Sequence, residues 1–498
     1  MEQEVVLARK LRLICGRVSL PWDGIGLAGT LFARLDWKTE LFLYRHKNLY
    51  PFVQNSIFCG AFYDWRGYIE YRQQPARATS FEEEVLRPTW KADSREQLDY
   101  AWLLEFALSM RSAKCSDDRD KIFSVLGLAQ QYYAGTELEV KPSYQETTSA
   151  VYTGFFESVI KHLPTLNFLA FVEPSADRLT VDLPSWVPNL AVAHPYNGHR
   201  DIMVGGALFA ATNRQLLAEQ YVSCFAGELH FRGLRIGVVE AVQLEAQLGR
   251  HPSLANLLSL FDLCEPCIRS TSGQSRVEML WRTCIWDYNE LEDISTPPRP
   301  APKEIAHLFS AFILSSFCER VCCEPVEKSE EEEAEEKVAE VLQVQALLQR
   351  FAPEVTNNEL PTMDMVMQGA LWFVQAGDHL VFESRDLLEE SGDECHDWIL
   401  WLKRAVAGWE RAIKSAQTSR TRCFRASKSR LGNANADIQV GDEIWLAPAS
   451  SLPLVLRPAS SSGVETSISM AYLHGTMDGE PFRDDPDLLQ RIQPVVLR

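Results

Sequence analysis

The chain has 498 residues, too many for one hydrophobic core, and ordinary domain sizes point to about three units or two with a large insertion. Hydrophobic residues make up 46% and aromatics 10%, which excludes a mostly disordered chain. A net charge of -19 speaks against a nucleic-acid surface, which needs a basic face, and against an anionic membrane surface.

The first residues, Met1-Glu2-Gln3-Glu4, are acidic and lack the basic and apolar regions of a signal peptide. The longest apolar stretches, such as Leu308 to Phe317, fall far short of the ~20 residues that span a bilayer. A cytoplasmic location is therefore expected, with the twelve cysteines mostly reduced and buried as small hydrophobes. Residues 1–36 carry an apolar run (Val5, Val6, Leu7, Leu11, Leu13, Ile14) leading into Cys15-Gly16, and read as the end of a domain. Residues 37–182 read as a helical region. In it Leu98, Trp102, Leu103, Phe106 and Met110 recur at helical spacing. Asp117 is the expected N-cap of the next helix, answered by Asp120 in a short capping box. A third helix is expected from Tyr144 to His162.

Residues 183–250 open with Leu183-Pro184-Ser185-Trp186-Val187-Pro188, whose prolines forbid regular helix, and then alternate as strand through Leu229, Phe231, Leu234, Ile236 and Val238. Strand patterning returns at 421–498, in short runs at Cys423 to Ala426, Ile438 to Leu446, Leu454 to Arg457 and Ser467 to His474. Neither strand group alone suffices for a core, so the two should pair. The expected fold is α+β: an N-terminal helical region, then a small β-barrel interrupted by a long helical insertion at 251–420. In the insertion Trp398, Leu402, Ala405, Trp409 and Ala412 form one helix face, expected to pack on the barrel. Residues 324–340 hold nine glutamates and two lysines, read as a solvated linker or frayed helix rather than an acidic docking tail. The basic stretch 403–430 offsets that charge and is not read as a nucleic-acid site.

Several of these segments, in this order, resemble the fungal heterokaryon-incompatibility (HET) family. Gln3-Glu4-Val5-Val6-Leu7-Ala8 with Cys15-Gly16 is similar to the strip closing the family's N-terminal domain. The run Cys115-Ser116-Asp117-Asp118-Arg119-Asp120-Lys121-Ile122-Phe123 resembles its most recognisable downstream helix, and Pro184 to Pro188 its Pro-Ser-Trp-Val-Pro crossing. Gly441-Asp442, Leu456-Arg457-Pro458 and Tyr472-Leu473-His474-Gly475-Thr476-Met477-Asp478-Gly479-Glu480 are similar to its closing barrel. The resemblance implies non-self recognition and programmed cell death. In the family the N-terminal domain is TIR-like and carries a Tyr-x-x-Leu-Ser-Tyr-x-Trp-Gly and a Trp-Ile-Asp-x-x-Cys-Ile-Asn-Gln stretch. Neither is found here. The expectation is a regulatory or scaffolding region without the catalytic domain, partnered by an intact family member or a recognition partner. No cofactor is expected.

The chemistry-bearing candidates are few. His474, Asp478 and Glu480 could hold a metal or do acid–base work, but Asp478-Gly479 also reads as a turn, and that reading is preferred. Asp442 after Gly441 is likewise read as a turn. Cys264 and Cys267, with Cys318, Cys322 and Cys323 further on, are a poor zinc set without a nearby histidine. No nucleophile elbow, P-loop, H-E-x-x-H or G-x-G-x-x-G occurs. No catalytic, cofactor-binding or metal-binding residue is assigned. The readings left open are the HET-type protein, a free-standing adaptor acting through the barrel surface, and an enzyme built on His474.

Overall fold

The computed structural model describes residues 12–15, 18–21, 94–132, 140–173, 182–192, 209–212, 222–245, 252–264, 267, 273–288, 299–322, 330–354, 359–376, 394–416, 421–458 and 465–498. In chain order these form strands β1 (Arg12–Cys15) and β2 (Val18–Pro21), then helices α1 (Arg95–Ser109), α2 (Asp120–Tyr132) and α3 (Thr148–His162). Strands β3 (Val222–Phe225) and β4 (Glu228–Val242) follow, then helices α4 (Leu254–Cys264), α5 (Arg276–Cys284), α6 (Ile305–Cys322), α7 (Glu330–Phe351), α8 (Met363–Ala376) and α9 (Glu394–Ala416). The chain closes with β5 (Thr421–Ala426), β6 (Arg430–Asn435), β7 (Glu443–Leu446), β8 (Leu454–Pro458), β9 (Glu465–Leu473), the short α10 (Glu480–Asp484) and β10 (Gln493–Leu497). The class is mixed α+β with a largely antiparallel sheet. The fold divides into two compact units, and β4 and β9 run through both.

The first unit holds residues 1–236, 443–470 and 476–498. Ser94 caps α1 by accepting from the Gln97 N–H at 3.1 Å, and Thr147 caps α3 by accepting from Ala150 at 3.1 Å. The cap at Thr147 starts α3 after Tyr144, later than its apolar spacing suggests. Asp117 also differs from expectation. Its carboxylate accepts from the backbone and guanidinium of Arg119, at 3.0 and 2.9 Å, while Asp120 accepts from the Tyr144 hydroxyl at 2.6 Å. The arginine diverts Asp117, so a local turn replaces the capping box. Phe155, Phe156, Phe168 and Trp186 pack in a chain of ring contacts at the centre of the helices.

The strands of this unit form a closed circuit of pairings. The first half of β4 pairs with β10 (Phe231↔Val495), β10 with β9 (Leu497↔Glu465), β9 with β8 (Met470↔Leu454), β8 with β7 (Val455↔Ile444), and β7 with β4. The β10–β9 step is parallel. Ala211, Leu234, Leu446 and Leu488 make a buried cluster joined by Ile236, Phe482 and Ile492.

The second unit holds residues 237–442 and 471–475. Here the end of β4 pairs with β5 (Val242↔Phe424), β5 with β6, and β6 with the end of β9 (Asn433↔Tyr472). The two distant strand groups therefore do pair, with the helices α4 to α9 between them in sequence. Helix α6 is largely apolar and is buried from Phe309 to Cys318, which fits its place among other helices. Trp409 of α9 packs edge-on against Phe309 and tilted against Phe312 of α6, at 5.1 and 6.2 Å, and Trp398 edge-on against Trp372 of α8 at 5.0 Å. The α9 tryptophans thus pack on helices. That differs from the expected packing on strands, because α6 and α8 supply the apolar faces nearest to them.

Some expectations lie outside the described residues: the run Val5 to Leu7, most of 1–93, and residues 323–329 of the acidic tract. From Glu330 the tract is helical, as the start of α7.

Candidate functional site

The motifs singled out in the sequence turn out to hold backbone. Arg119 donates to the carbonyls of Tyr144 and Glu146 at 2.8 and 2.7 Å, tying the start of α2 to the turn before α3. Lys121 is buried, and its ammonium donates to the carbonyls of Arg111 (2.8 Å) and Ala113 (2.9 Å), where α1 ends. Arg111 pairs with buried Glu173 and donates to the carbonyls of Phe171 and Asn189, at 2.8 and 3.0 Å. In the proline motif Ser185 receives the Ser467 N–H on its hydroxyl at 3.0 Å and donates its own N–H to the Arg498 carbonyl at 3.0 Å. Trp186 donates its indole N–H to the Gly227 carbonyl at 3.0 Å. A side chain that satisfies buried carbonyls at this density is a structural fastener.

The turn reading of the closing motif fits as well. Gly479 sits at φ +76°, and the Asp478 N–H donates to the Glu480 carboxylate at 2.7 Å. Gly441 takes φ +97°, and the Asp442 carboxylate accepts from Gln439 at 2.8 Å. Strand β7 accordingly begins only at Glu443, later than the expected start at Ile438. His474 has partners of its own in the second unit. Its Nε2 faces the Gln274 amide oxygen at 2.9 Å and its Nδ1 the Tyr472 hydroxyl at 3.0 Å. The amide oxygen can only accept, so Nε2 carries the proton and Nδ1 accepts from the tyrosine. Burial, then the Arg282 charge, push the imidazole down to about 4. A histidine neutral at neutral pH with both nitrogens occupied is poorly placed as a base.

His474 leads to the densest polar cluster among the described residues, and no sequence motif announces it. Helix α5 is nine residues long, and its side chains from Val277 to Cys284 are all buried. Ser275 caps it by accepting from the Glu278 N–H at 2.8 Å, and its hydroxyl donates to Glu359 at 2.7 Å. One turn on, Arg282 pairs with Glu278 at 2.9 Å and with Asp287, and donates to the Ala301 carbonyl at 2.7 Å. Burial raises the carboxyls of Asp287 and Glu359 above the ordinary range, with the Arg282 charge opposing it at Asp287. One guanidinium thus pairs with two carboxyl groups in a dry setting, where breaking a pair is costly.

At the end of α5 the cluster becomes sulfurous. Cys284 and Cys423 place their sulfurs 3.8 Å apart, both buried. Asn433 donates from Nδ2 to the Cys423 sulfur at 3.3 Å, and its Oδ1 accepts from the Trp286 indole at 3.0 Å. Gln243 brackets the Cys423 backbone, accepting its N–H at 3.2 Å and donating to its carbonyl at 2.9 Å. The other buried thiols point to carbonyls, Cys264 to Phe261, Cys267 to Leu263 and Cys318 to Val366. No group of three or more His, Cys, Asp or Glu able to hold a metal exists among the described residues.

No family model matches the chain, and neither a curated protein nor a solved structure does. Among the described residues no helix is long and apolar enough to cross a membrane.

Proposed function

We propose that this chain is a non-catalytic regulatory or scaffolding protein of the fungal HET kind, acting in the cytoplasm on a TIR-like cell-death domain. The observation that carries the reading is the use of the resembling motifs. Arg119, Lys121, Ser185 and Trp186 bind main chain, Arg119 also its neighbour Asp117, and His474 binds two neutral side chains. They serve a framework for display rather than a reaction. The circuit of strands in the first unit supports a small closed barrel as that framework.

A second reading, a free-standing adaptor using the barrel surface, is favoured by Phe225. It is 78% exposed at the tip of the β3–β4 hairpin, where an aromatic can anchor a partner.

The test is co-expression in a filamentous fungus with an intact HET-family protein that carries its TIR-like domain. The 498-residue chain alone should neither kill nor cleave NAD, and should change the death response of the intact protein. NAD turnover by the purified chain overturns the proposal. A Phe225→Ala variant that loses partner binding without any link to cell death supports the adaptor reading instead.

A further inference from the structure

We propose that Cys284 and Cys423 form a peroxide-sensitive dithiol, closed to a disulfide that ties the end of α5 to strand β5. The inference rests on the geometry of the second unit and is independent of the proposed family role.

Three observations carry it. The sulfurs are in contact at 3.8 Å in the reduced state, and a disulfide asks them to close to about 2.05 Å. The pair is also polarised. Cys423 receives the Asn433 amide at 3.3 Å and lies within reach of the Cys284 thiol, and those hydrogen bonds hold its thiol below the usual range despite burial. Cys284 is held above it, by its contact with Cys423 and by burial. Cys423, with the Asn433 amide on its sulfur, is the thiol placed to react first, and Cys284 is the partner in contact to resolve it. Finally, Asn433 is itself fixed by Trp286, and the Cys423 backbone by Gln243, so the arrangement is held from both sides. Buried Cys264, Cys267 and Cys318 donate to carbonyls.

Hydrogen peroxide suits a site without an open mouth, since it is little larger than water and enters through ordinary breathing of the fold. The Cys423 sulfur attacks one peroxide oxygen as its thiol gives up its proton, the O–O bond breaks, and the departing hydroxide takes up that proton to leave as water. The product is a sulfenic acid on Cys423. The Cys284 sulfur then attacks the Cys423 sulfur, and the S–O bond breaks. The hydroxide released takes the Cys284 proton, giving a second water. Two thiols are oxidised by two electrons and one peroxide is reduced to two waters.

The experiment uses the full chain, purified reduced and freed of reductant. It is exposed to hydrogen peroxide under native conditions, alkylated, and mapped by non-reducing peptide mass spectrometry. The expected result is a dominant crosslinked peptide joining Cys284 to Cys423, lighter by two hydrogens, and a Tm raised by roughly 5 °C or more. Exposed Cys115 should oxidise without joining this link. Absence of the link, with both cysteines still alkylated after unfolding, overturns the proposal. In Cys423→Ser, Cys284 should survive the same peroxide dose as a free thiol and the Tm shift should vanish. Should that variant not fold, the wild-type chain oxidised in urea decides. Scrambled pairings there support the proposal, and an equally dominant Cys284–Cys423 link overturns it.

Discussion

Phe424 lies across Gly432 so closely that a β-carbon on residue 432 would stand 2.2 Å from the ring. The two residues face each other across the β5–β6 ladder. The ring fills the space that a side chain on β6 would take, so the strand passes with no side chain at that point. Gly432→Ala should destabilise the protein by roughly 1–3 kcal/mol, through displacement of the ring. Urea unfolding would measure it, and the loss should shrink in a Phe424→Leu background.

Two helical glycines should behave oppositely. Gly369 on α8 has the Cys318 sulfur 2.6 Å and the Trp398 ring 2.7 Å from a virtual β-carbon, while Gly154 on α3 has nothing within 4 Å. Gly154→Ala should stabilise by about 0.5–1 kcal/mol through helix propensity. Gly369→Ala should instead lose about 1–3 kcal/mol from overpacking. Thermal melts of the two variants check both signs, and equal shifts would contradict the packing of α6, α8 and α9.

Arg111→Met should be among the most damaging single changes. It leaves the buried Glu173 charge without its cation and strips donors from the carbonyls of Phe171 and Asn189. A loss of about 3–5 kcal/mol is expected. Soluble yield and denaturant midpoint would show it.

Acid should weaken the fold through His474. In the unfolded chain the imidazole protonates near its ordinary value of 6.5, and in the folded chain only near about 4. Below 6.5 the unfolded state binds the extra proton, so stability falls as pH drops and levels off beneath about 4. The contribution is about 3–3.5 kcal/mol. Asp287 and Glu359, with raised values, pull the other way, since folding favours their protonation. The measurement is therefore a difference. Stability of His474→Gln minus wild type, followed from pH 7 to 4, should shift in the variant's favour.

The helices were largely legible in the sequence, because α1, α3 and α9 write their buried faces at three- and four-residue steps. So were strands β5, β8 and β9. Strand β6 was not. Its sequence Arg-Leu-Gly-Asn-Ala-Asn consists largely of turn formers, and only the overlying Phe424 and the Trp286–Asn433 bond explain why it is a buried strand. The polar cluster was equally hidden. Ser275, Glu278 and Arg282 look like an exposed helix face, and burial reverses that reading only once Glu359, Asp287 and the Ala301 carbonyl are brought in from elsewhere in the chain. The Cys284–Cys423 contact has no sequence signal at all, since neither residue sits in a recognisable spacing.

The pairing of β4 with β10 also sets a schedule for synthesis. Leu229 and Phe231 reach their partners Leu497 and Val495 only after more than 260 further residues have been made. At ordinary translation rates that is about 13–50 s, during which one edge of β4 has no neighbour from β10. An unpaired, apolar strand edge is a template for wrong pairing. The nascent chain should therefore depend on chaperones through this interval, and slowing the ribosome over the α4–α9 region should lengthen the exposure and raise the aggregated fraction.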